Sequence, residues 1–250
     1  NFKFPRETIH FILRDASAKL VFCDAARAAD CPGDLPAVRF GFEDSSLRAP
    51  RSNPGAVRSA PGLLRRSAPR NDEQFDAFLD PGPFDAVVPE PNEPAMFLYT
   101  SGSTGTPKGV MLSHQSHIWV VETRLAPGLD RHRYLIAAPL YHMNALALAK
   151  LACAAHATIV LLPQFSARAY IEAIGRYRCT WLTAVPPMIA MMLRERDLMA
   201  ATDFSSVAFV RMGSAPVSAS LMEALHTALP QAAVTNAYGT TEAGPVVFGP

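Results

Sequence analysis

The sequence predicts an α/β fold in which mostly parallel sheets are flanked by helices. Three observations carry that expectation. Short apolar runs of strand length recur from residue 134 onward, alternate with stretches of helical spacing, and are joined by connections of a few residues. Parallel strands need intervening crossovers of this kind, because a hairpin can only reverse direction. The 250 residues are 49% hydrophobic, which supplies a sizeable core. Several apolar runs also end in glycine, serine or threonine, and small residues at strand ends let a ligand approach the backbone.

The bulk properties exclude some classes of function. A formal net charge of +1 gives no electrostatic case for nucleic acid or an anionic membrane surface. Cys23, Cys31, Cys153 and Cys179 show neither C-x-x-C spacing nor a metal-ligand cluster, and read as reduced thiols of a cytosolic protein. The most apolar stretch, 145–162, is broken by Lys150 and His156 and falls short of a membrane span. With no secretory signal read at the start, a cytoplasmic location is expected.

In chain order, Ile9, Ile12 and Leu13 are spaced for one buried face of a helix that starts near Pro5. Residues 18–24 read as a strand. From 44 to 71 the composition changes, with Arg48, Arg51, Arg58, Arg65, Arg66 and Arg70 set among serine, proline, glycine and alanine. Such a run has little to bury and reads as a solvated loop or insert, a basic patch for an anionic partner being the other reading. Residues 73–79 suggest a short helix ended by Pro81-Gly82-Pro83. Pro89, Pro91 and Pro94 then suggest an extended approach to the next strand.

That strand, Met96-Phe97-Leu98-Tyr99, opens the most informative stretch. Gly102, Gly105 and Gly109 alternate with the hydroxyls of Thr100, Ser101, Ser103, Thr104 and Thr106 and with Lys108. Glycine permits the positive φ values that turn successive N–H groups around an anion, and a lysine supplies a mobile charge suited to phosphate. The loop reads as a phosphate cradle, with an ordinary Gly/Ser/Thr turn as the alternative. It is not the common P-loop. Pro107, not glycine, precedes the lysine, and Val110-Met111-Leu112 reads as a return strand where a helix would follow.

The run Tyr99-Thr100-Ser101-Gly102-Ser103-Thr104-Gly105-Thr106-Pro107-Lys108-Gly109 resembles the signature loop of the adenylate-forming (AMP-binding) superfamily. Its members include acyl- and aryl-CoA synthetases, nonribosomal adenylation domains and firefly-type luciferases. The resemblance implies that Thr100 to Thr106 and Lys108 hold the β- and γ-phosphates of ATP. It further implies the layered α/β N-terminal domain of that superfamily over residues 1–250. Residues 1–90 would be a partial first subdomain with the insert near 44–71, and residues 91–250 the nucleotide- and acid-binding part.

After the loop, Ser113 is placed to cap a helix through Leu125, with Ile118, Val121 and Leu125 on one face. His114 and His117 read as polar residues of its first turn. A strand from Tyr134 then leads into Pro139-Leu140-Tyr141-His142-Met143-Asn144, which resembles the Pro-Leu-Phe/Tyr-His segment of acyl- and aryl-CoA synthetases. By that resemblance His142 lies beside the carboxylate being activated; a structural histidine at a strand end is the other reading. In nonribosomal adenylation domains the corresponding region carries an aspartate that holds the amino acid's ammonium group, and a buried ammonium without such a partner would be costly. No acidic residue lies between Tyr134 and Gln164, so the resemblance implies a plain carboxylic acid in preference to an amino acid.

Residues 145–155 read as a helix, 158–162 as a buried strand, and 166–177 as a helix capped by Ser166. A strand over 180–185 ends at Pro186-Pro187, with a short helix over 188–194. Met188, Met191 and Met192 read as core or pocket wall. Tyr141, Met143, Asn144, Trp181 and Met188 are the candidates for a neutral acid pocket suited to a fatty or aryl acid. The strand 207–212 runs into Gly213-Ser214-Ala215-Pro216, which is similar to the family's turn against adenine, with serine where glycine is common. The strand 232–235 runs into Asn236-Ala237-Tyr238-Gly239-Thr240-Thr241-Glu242, which resembles the superfamily's second signature. The resemblance implies that Tyr238 stacks on adenine, Asn236 meets its edge, Thr241 touches the α-phosphate and Glu242 binds Mg²⁺. Ala237, Gly239 and Thr240 belong to the same nucleotide-binding stretch.

The function implied is an ATP-dependent, AMP-forming acid–CoA ligase that converts a carboxylic acid to an acyl-adenylate and then to a thioester. Lys108, His142, Thr241 and Glu242 are expected to carry the chemistry, and ATP/AMP, Mg²⁺ and coenzyme A are the expected cofactors. The partners are small molecules, a carboxylic acid and CoA, with homodimerisation left open. A nonribosomal-type adenylation module and a non-catalytic nucleotide-binding fragment are the alternatives. An upstream piece of the module is expected to be absent. So are the family's downstream ribose-binding aspartate, an arginine, and a small C-terminal domain with a catalytic lysine. The chain alone is therefore expected to be nearly inactive.

Overall fold

The structure, a computed structural model, describes residues 4–40, 82, 85–90, 92–100 and 105–248, and the chain divides into units 1–88 and 89–250. In the first unit, α1 (Arg6–Asp15) follows Pro5, whose missing N–H costs nothing at a helix start. Strands β1 (Val21–Asp24) and β2 (Ala37–Phe40) pair in parallel, Val21 opposite Ala37. Arg27 ties the intervening 3₁₀ turn down by donating to the Phe4 carbonyl at 2.9 Å. Ile9, Ile12 and Leu13 are half-buried, so the expected face exists but is only partly covered. The readings over 44–71 and 73–79 fall outside the described residues.

The second unit opens with a hairpin. Strand β3 (Pro94–Thr100) pairs antiparallel with β4 (Lys108–Ser113), from Met96 opposite Leu112 to Thr100 opposite Lys108. Ser113 then caps α2 (His114–Glu122), its Oγ accepting from the Ser116 N–H at 3.2 Å. The helix ends at Glu122, three residues short of its pattern. It also buries a different face. Val120 is buried while Ile118 and Leu125 are exposed, since Ile118, Trp119, Val120 and Val121 are apolar all round and leave the buried side undetermined.

From here the chain alternates strand and helix. It runs through β5 (Arg133–Ile136), α3 (Met143–Ala154), β6 (Thr158–Leu161), α4 (Ala167–Tyr177) and β7 (Trp181–Ala184). It continues with α5 (Pro186–Arg194), α6 (Arg196–Ala201), β8 (Phe209–Gly213), α7 (Ala219–Ala228), β9 (Ala233–Thr240) and β10 (Gly244–Phe248). The strands form one six-stranded sheet in the order β10-β9-β8-β7-β5-β6, parallel except for β10 at its edge.

Strand β5 shows why both faces need helices. Tyr134, Leu135 and Ile136 are all fully buried. Successive side chains point to opposite faces, so Leu135 joins Ile171, Ile174, Leu182, Ile189 and Val210 in one core. Tyr134 and Ile136 join Ala145, Leu148, Leu151 and Ala152 of α3 in another. Each fully buried Leu or Ile contributes about 1.5–3 kcal/mol.

The burial of one strand and three boundaries differ from their sequence patterns for identifiable reasons. Strand β6 is half-exposed, not buried, because it is the sheet's edge and pairs only with β5. Helix α5 starts at Pro186, since prolines fit a first turn whose N–H groups have no partners to lose. Helix α3 starts at Met143, with His142 at its N-cap. Strand β9 runs on through Thr240 because β10 folds back and pairs with it, Gly244 opposite Thr240. Among the described residues no helix is long and apolar enough to cross a membrane.

Candidate functional site

Parallel pairing brings the C-terminal ends of β5, β7, β8 and β9 to one side of the sheet, and a cavity of about 360 Å³ lies there. That volume falls in the range of small-molecule sites. Ala138 just beyond β5 and Val185 just beyond β7 form part of its wall, with His142, Met143 and Asn144 at the start of α3. Gly213 and Ser214 close β8, and Ala237, Gly239, Thr240 and Thr241 complete the lining.

Local chemistry explains the shape. A Cβ on Gly213 would lie 3.0 Å from the Ala237 carbonyl oxygen, so any other residue would press on the paired β9 backbone beside the cavity. Ser214 holds φ 66°, a left-handed conformation unfavourable for a residue with a Cβ. The preference for glycine at this turn therefore has a backbone cause. Thr240 Oγ1 accepts from the Ala243 N–H at 3.1 Å and closes the turn into β10.

His142 is held by its backbone, its N–H donating to the Pro139 carbonyl at 3.0 Å and its carbonyl accepting from Leu146 at 3.1 Å. Its ring packs against Tyr141 with centroids 4.7 Å apart. One side of the residue is open to solvent, yet the neighbouring walls remove enough water to lower its pKa below the ordinary imidazole value. The neutral ring has one N–H donor and one acceptor nitrogen. His142 makes no side-chain cap bond, so the first-turn N–H groups of α3 present a partial positive charge beside the cavity. Small residues, hydroxyls, an imidazole and a helix N-terminus converge here, and among the described residues no carboxylate is in the lining. The combination suits an anion or a polar uncharged group.

The sequence-predicted residues divide as follows. His142, Gly213, Ser214, Ala237, Gly239, Thr240 and Thr241 line the cavity. Ala215 and Pro216 follow the Gly213–Ser214 turn, and Asn236 and Tyr238 lie on β9, without lining the cavity; Tyr238 is 60% exposed. Glu242 is exposed and borders an adjoining cavity of about 130 Å³ with His117, and Met143 forms a wall of both cavities. Ser101, Gly102, Ser103 and Thr104 fall outside the described residues. Thr100 and Lys108 face each other across the mouth of the hairpin, and Gly105 holds φ 82°, the positive value expected of the loop. Thr106 and Lys108 are exposed. The hairpin is anchored beside the site because Leu98 and Leu112 bury Met143.

Trp181 is not a pocket residue. The sheet register sets Tyr134 opposite Trp181 and Trp181 opposite Phe209 at the N-terminal ends of their strands, away from the cavity. Trp181 stacks on Phe209 with centroids 4.7 Å apart, and His132 meets three of these rings edge-on. Met188 is likewise core, and Tyr141 does not line the cavity, whereas Met143 and Asn144 do. Ala138 and Val185 escaped the sequence reading of the site, although each closes a strand read from the sequence.

The family model for the AMP-binding enzyme matches residues 1–250. The chain belongs to the AMP-binding enzyme family. It is 36% identical over 179 residues to 4-coumarate–CoA ligase 2 of Oryza sativa subsp. japonica, covering 68% of this chain and 31% of that protein. It is 32% identical over 193 residues to the sulfoacetate–CoA ligase of Cupriavidus necator, covering 75% of this chain and 34% of that protein. It thus spans about a third of the length of the curated relatives it matches. Among solved structures, a long-chain-fatty-acid-CoA ligase from Archaeoglobus fulgidus superposes with TM-score 0.76 at 22% identity, covering 100% of this chain and 48% of that one. The o-succinylbenzoate CoA synthetase of Bacillus subtilis, in complex with ATP and magnesium ion, gives 0.70 at 21% identity, covering 98% and 46%. These likenesses carry the fold.

Proposed function

We propose that the protein carrying this chain is an AMP-forming acid–CoA ligase acting on a carboxylic acid with an aryl or aliphatic body. The observation that carries the reading is the convergence of His142, the Gly213–Ser214 turn and Gly239–Thr241 on one cavity at the sheet's C-terminal edge. Residues 91–250 are then the nucleotide- and acid-binding part of the family's large domain. Relatives named for 4-coumarate and sulfoacetate support an acid–CoA reaction.

In this reading a carboxylate oxygen attacks the α-phosphorus of ATP, the bond to the β-phosphate oxygen breaks, and pyrophosphate leaves. The thiol sulfur of CoA then attacks the acyl carbon, loses its proton, and AMP leaves. Neither step needs a covalent protein nucleophile, so the chain acts by placement and charge. His142 and the first turn of α3 orient the acid. Thr241 donates to the α-phosphate, Thr100 to Thr106 and Lys108 hold the outer phosphates, and Tyr238 and Asn236 hold adenine against Gly213, Ser214, Ala215 and Pro216. Glu242 is exposed beside the cavity, and the described residues contain no group of three His, Cys, Asp or Glu able to cage a metal. That donor set fits Mg²⁺ held by one carboxylate, water and phosphate oxygens. Bound there, Mg²⁺ would neutralise phosphate charge.

The test is product analysis. The natural-length protein with ATP, CoA and a panel of acids should yield AMP and an acyl-CoA by mass spectrometry, and Glu242→Ala should cut the yield at least about tenfold. ADP in place of AMP, or no acyl-CoA from any acid, would refute the reading.

A further inference from the structure

A second, smaller cavity of about 20 Å³ lies on the α3 side of the sheet, walled by Arg124, Asn144, Leu148, Leu151, Thr183 and Arg211. Asn144 borders this cavity and the large one alike. The remaining walls sit a few residues deeper along the same elements. Thr183 precedes Val185 by two residues, Arg211 precedes Gly213 by two, and Leu148 and Leu151 follow Asn144 down α3. The small cavity therefore lies next to the large one across Asn144, about 7 Å further in at strand rise.

Its chemistry is unlike its surroundings. Thr183 and Arg211 are direct partners across β7 and β8, so their side chains leave the sheet on one face. Thr183 is 1% exposed and its hydroxyl has no hydrogen-bond partner. Arg211 Nη2 is also buried without a partner, and Arg211 forms no ion pair among the described residues. Arg124 donates to the Val120 carbonyl at 3.3 Å, and among the described residues no carboxylate borders the cavity. Burial, and then the neighbouring charge of Arg124, both push the Arg211 pKa down. A guanidinium keeps its proton nonetheless, so two cations and an unpaired hydroxyl meet here with nothing in the cavity walls to balance them. An unbalanced buried cation is costly, and a fitted anion would remove that cost.

We infer that Arg211 and Arg124, with the Thr183 hydroxyl, form an anion-holding end wall of the acid site, so that the acid activated carries a second anionic group, carboxylate or sulfonate, at its far end. This rests on the acid–CoA ligase reading and narrows its substrate class. The space admits little more than one water-sized group, so one oxygen of the anion enters and no ring does. A spacing of about 7 Å between the two ends suits a short chain. The sequence signal was a lone arginine inside the apolar strand Val207-Ala208-Phe209-Val210-Arg211-Met212.

The experiment compares matched acids in pyrophosphate–ATP exchange by the natural-length protein: succinate with butyrate, and sulfoacetate with propionate. The anionic member should have a kcat/KM at least about tenfold higher. Arg211→Met should collapse that ratio at least tenfold, and Arg211→Lys should keep part of it. A preference for butyrate, propionate or p-coumarate, or a ratio unmoved by Arg211→Met, overturns the inference and leaves the ligase reading standing. If no acid supports exchange, the ligase reading falls, and thermal melting then decides the anion site by itself. Sulfoacetate should stabilise the protein and not Arg211→Met; equal stabilisation of both, or none, overturns the site. Inorganic sulfate matching sulfoacetate in that assay would assign the wall to a free anion and overturn the substrate inference.

Discussion

Ser214 carries the sharpest consequence at the residue scale. Its φ of 66° places a Cβ-bearing residue in left-handed backbone at the cavity's edge. That conformation costs about 1–2 kcal/mol, and glycine avoids it while losing part of the gain to a freer unfolded chain. Ser214→Gly should therefore stabilise the fold by about 0.5–1 kcal/mol, read as a higher denaturant midpoint; a lower midpoint would mean that the serine hydroxyl outweighs the strain. The sequence shows the serine but not its φ, which depends on how β8 ends against Ala237. Arg211 was equally hard to read, because its isolation emerges only when β7 and β8 are in register. The motif residues His142, Gly213 and Thr241 were legible through the family motifs they resemble, and the structure lines one cavity with all three.

At the scale of elements, the row of Tyr134, Trp181 and Phe209 with His132 braces the sheet's end away from the cavity. Thr180 Oγ1 accepts from the Arg133 N–H at 2.9 Å and lies 3.0 Å from His132 Nδ1, so its proton is available to a neutral ring. Burial lowers the His132 pKa, opposed by Asp130, and His117 and His142 shift the same way through burial. Each of these histidines binds a proton more readily when unfolded. Stability should then be full above the unfolded value near 6.5 and decline as the pH falls through the lower folded values. Melting should occur at lower temperature at pH 5.0 than at pH 7.5, with a smaller drop in His132→Phe. A flat profile would contradict the assignment. Strand periodicity predicted these elements, yet a tryptophan at the start of a strand looks the same in sequence whether it borders a ligand or braces the far end. Register separates the two.

For the whole molecule, alternation of strand and helix was enough to predict the parallel sheet, because short crossovers permit few other arrangements. It could not show how the strand ends close around one cavity, which depends on the sheet order β9-β8-β7-β5. The central claim is that this edge activates a carboxylate by adenylation before any thiol is involved. Pyrophosphate–ATP exchange by the natural-length protein, with CoA withheld, tests it most directly. The account predicts exchange that requires an acid, proceeds without CoA, and falls by about a hundredfold or more in Thr241→Val, which lacks the hydroxyl proposed to donate to the α-phosphate. Exchange that needs no acid, or that survives intact in Thr241→Val, would contradict it.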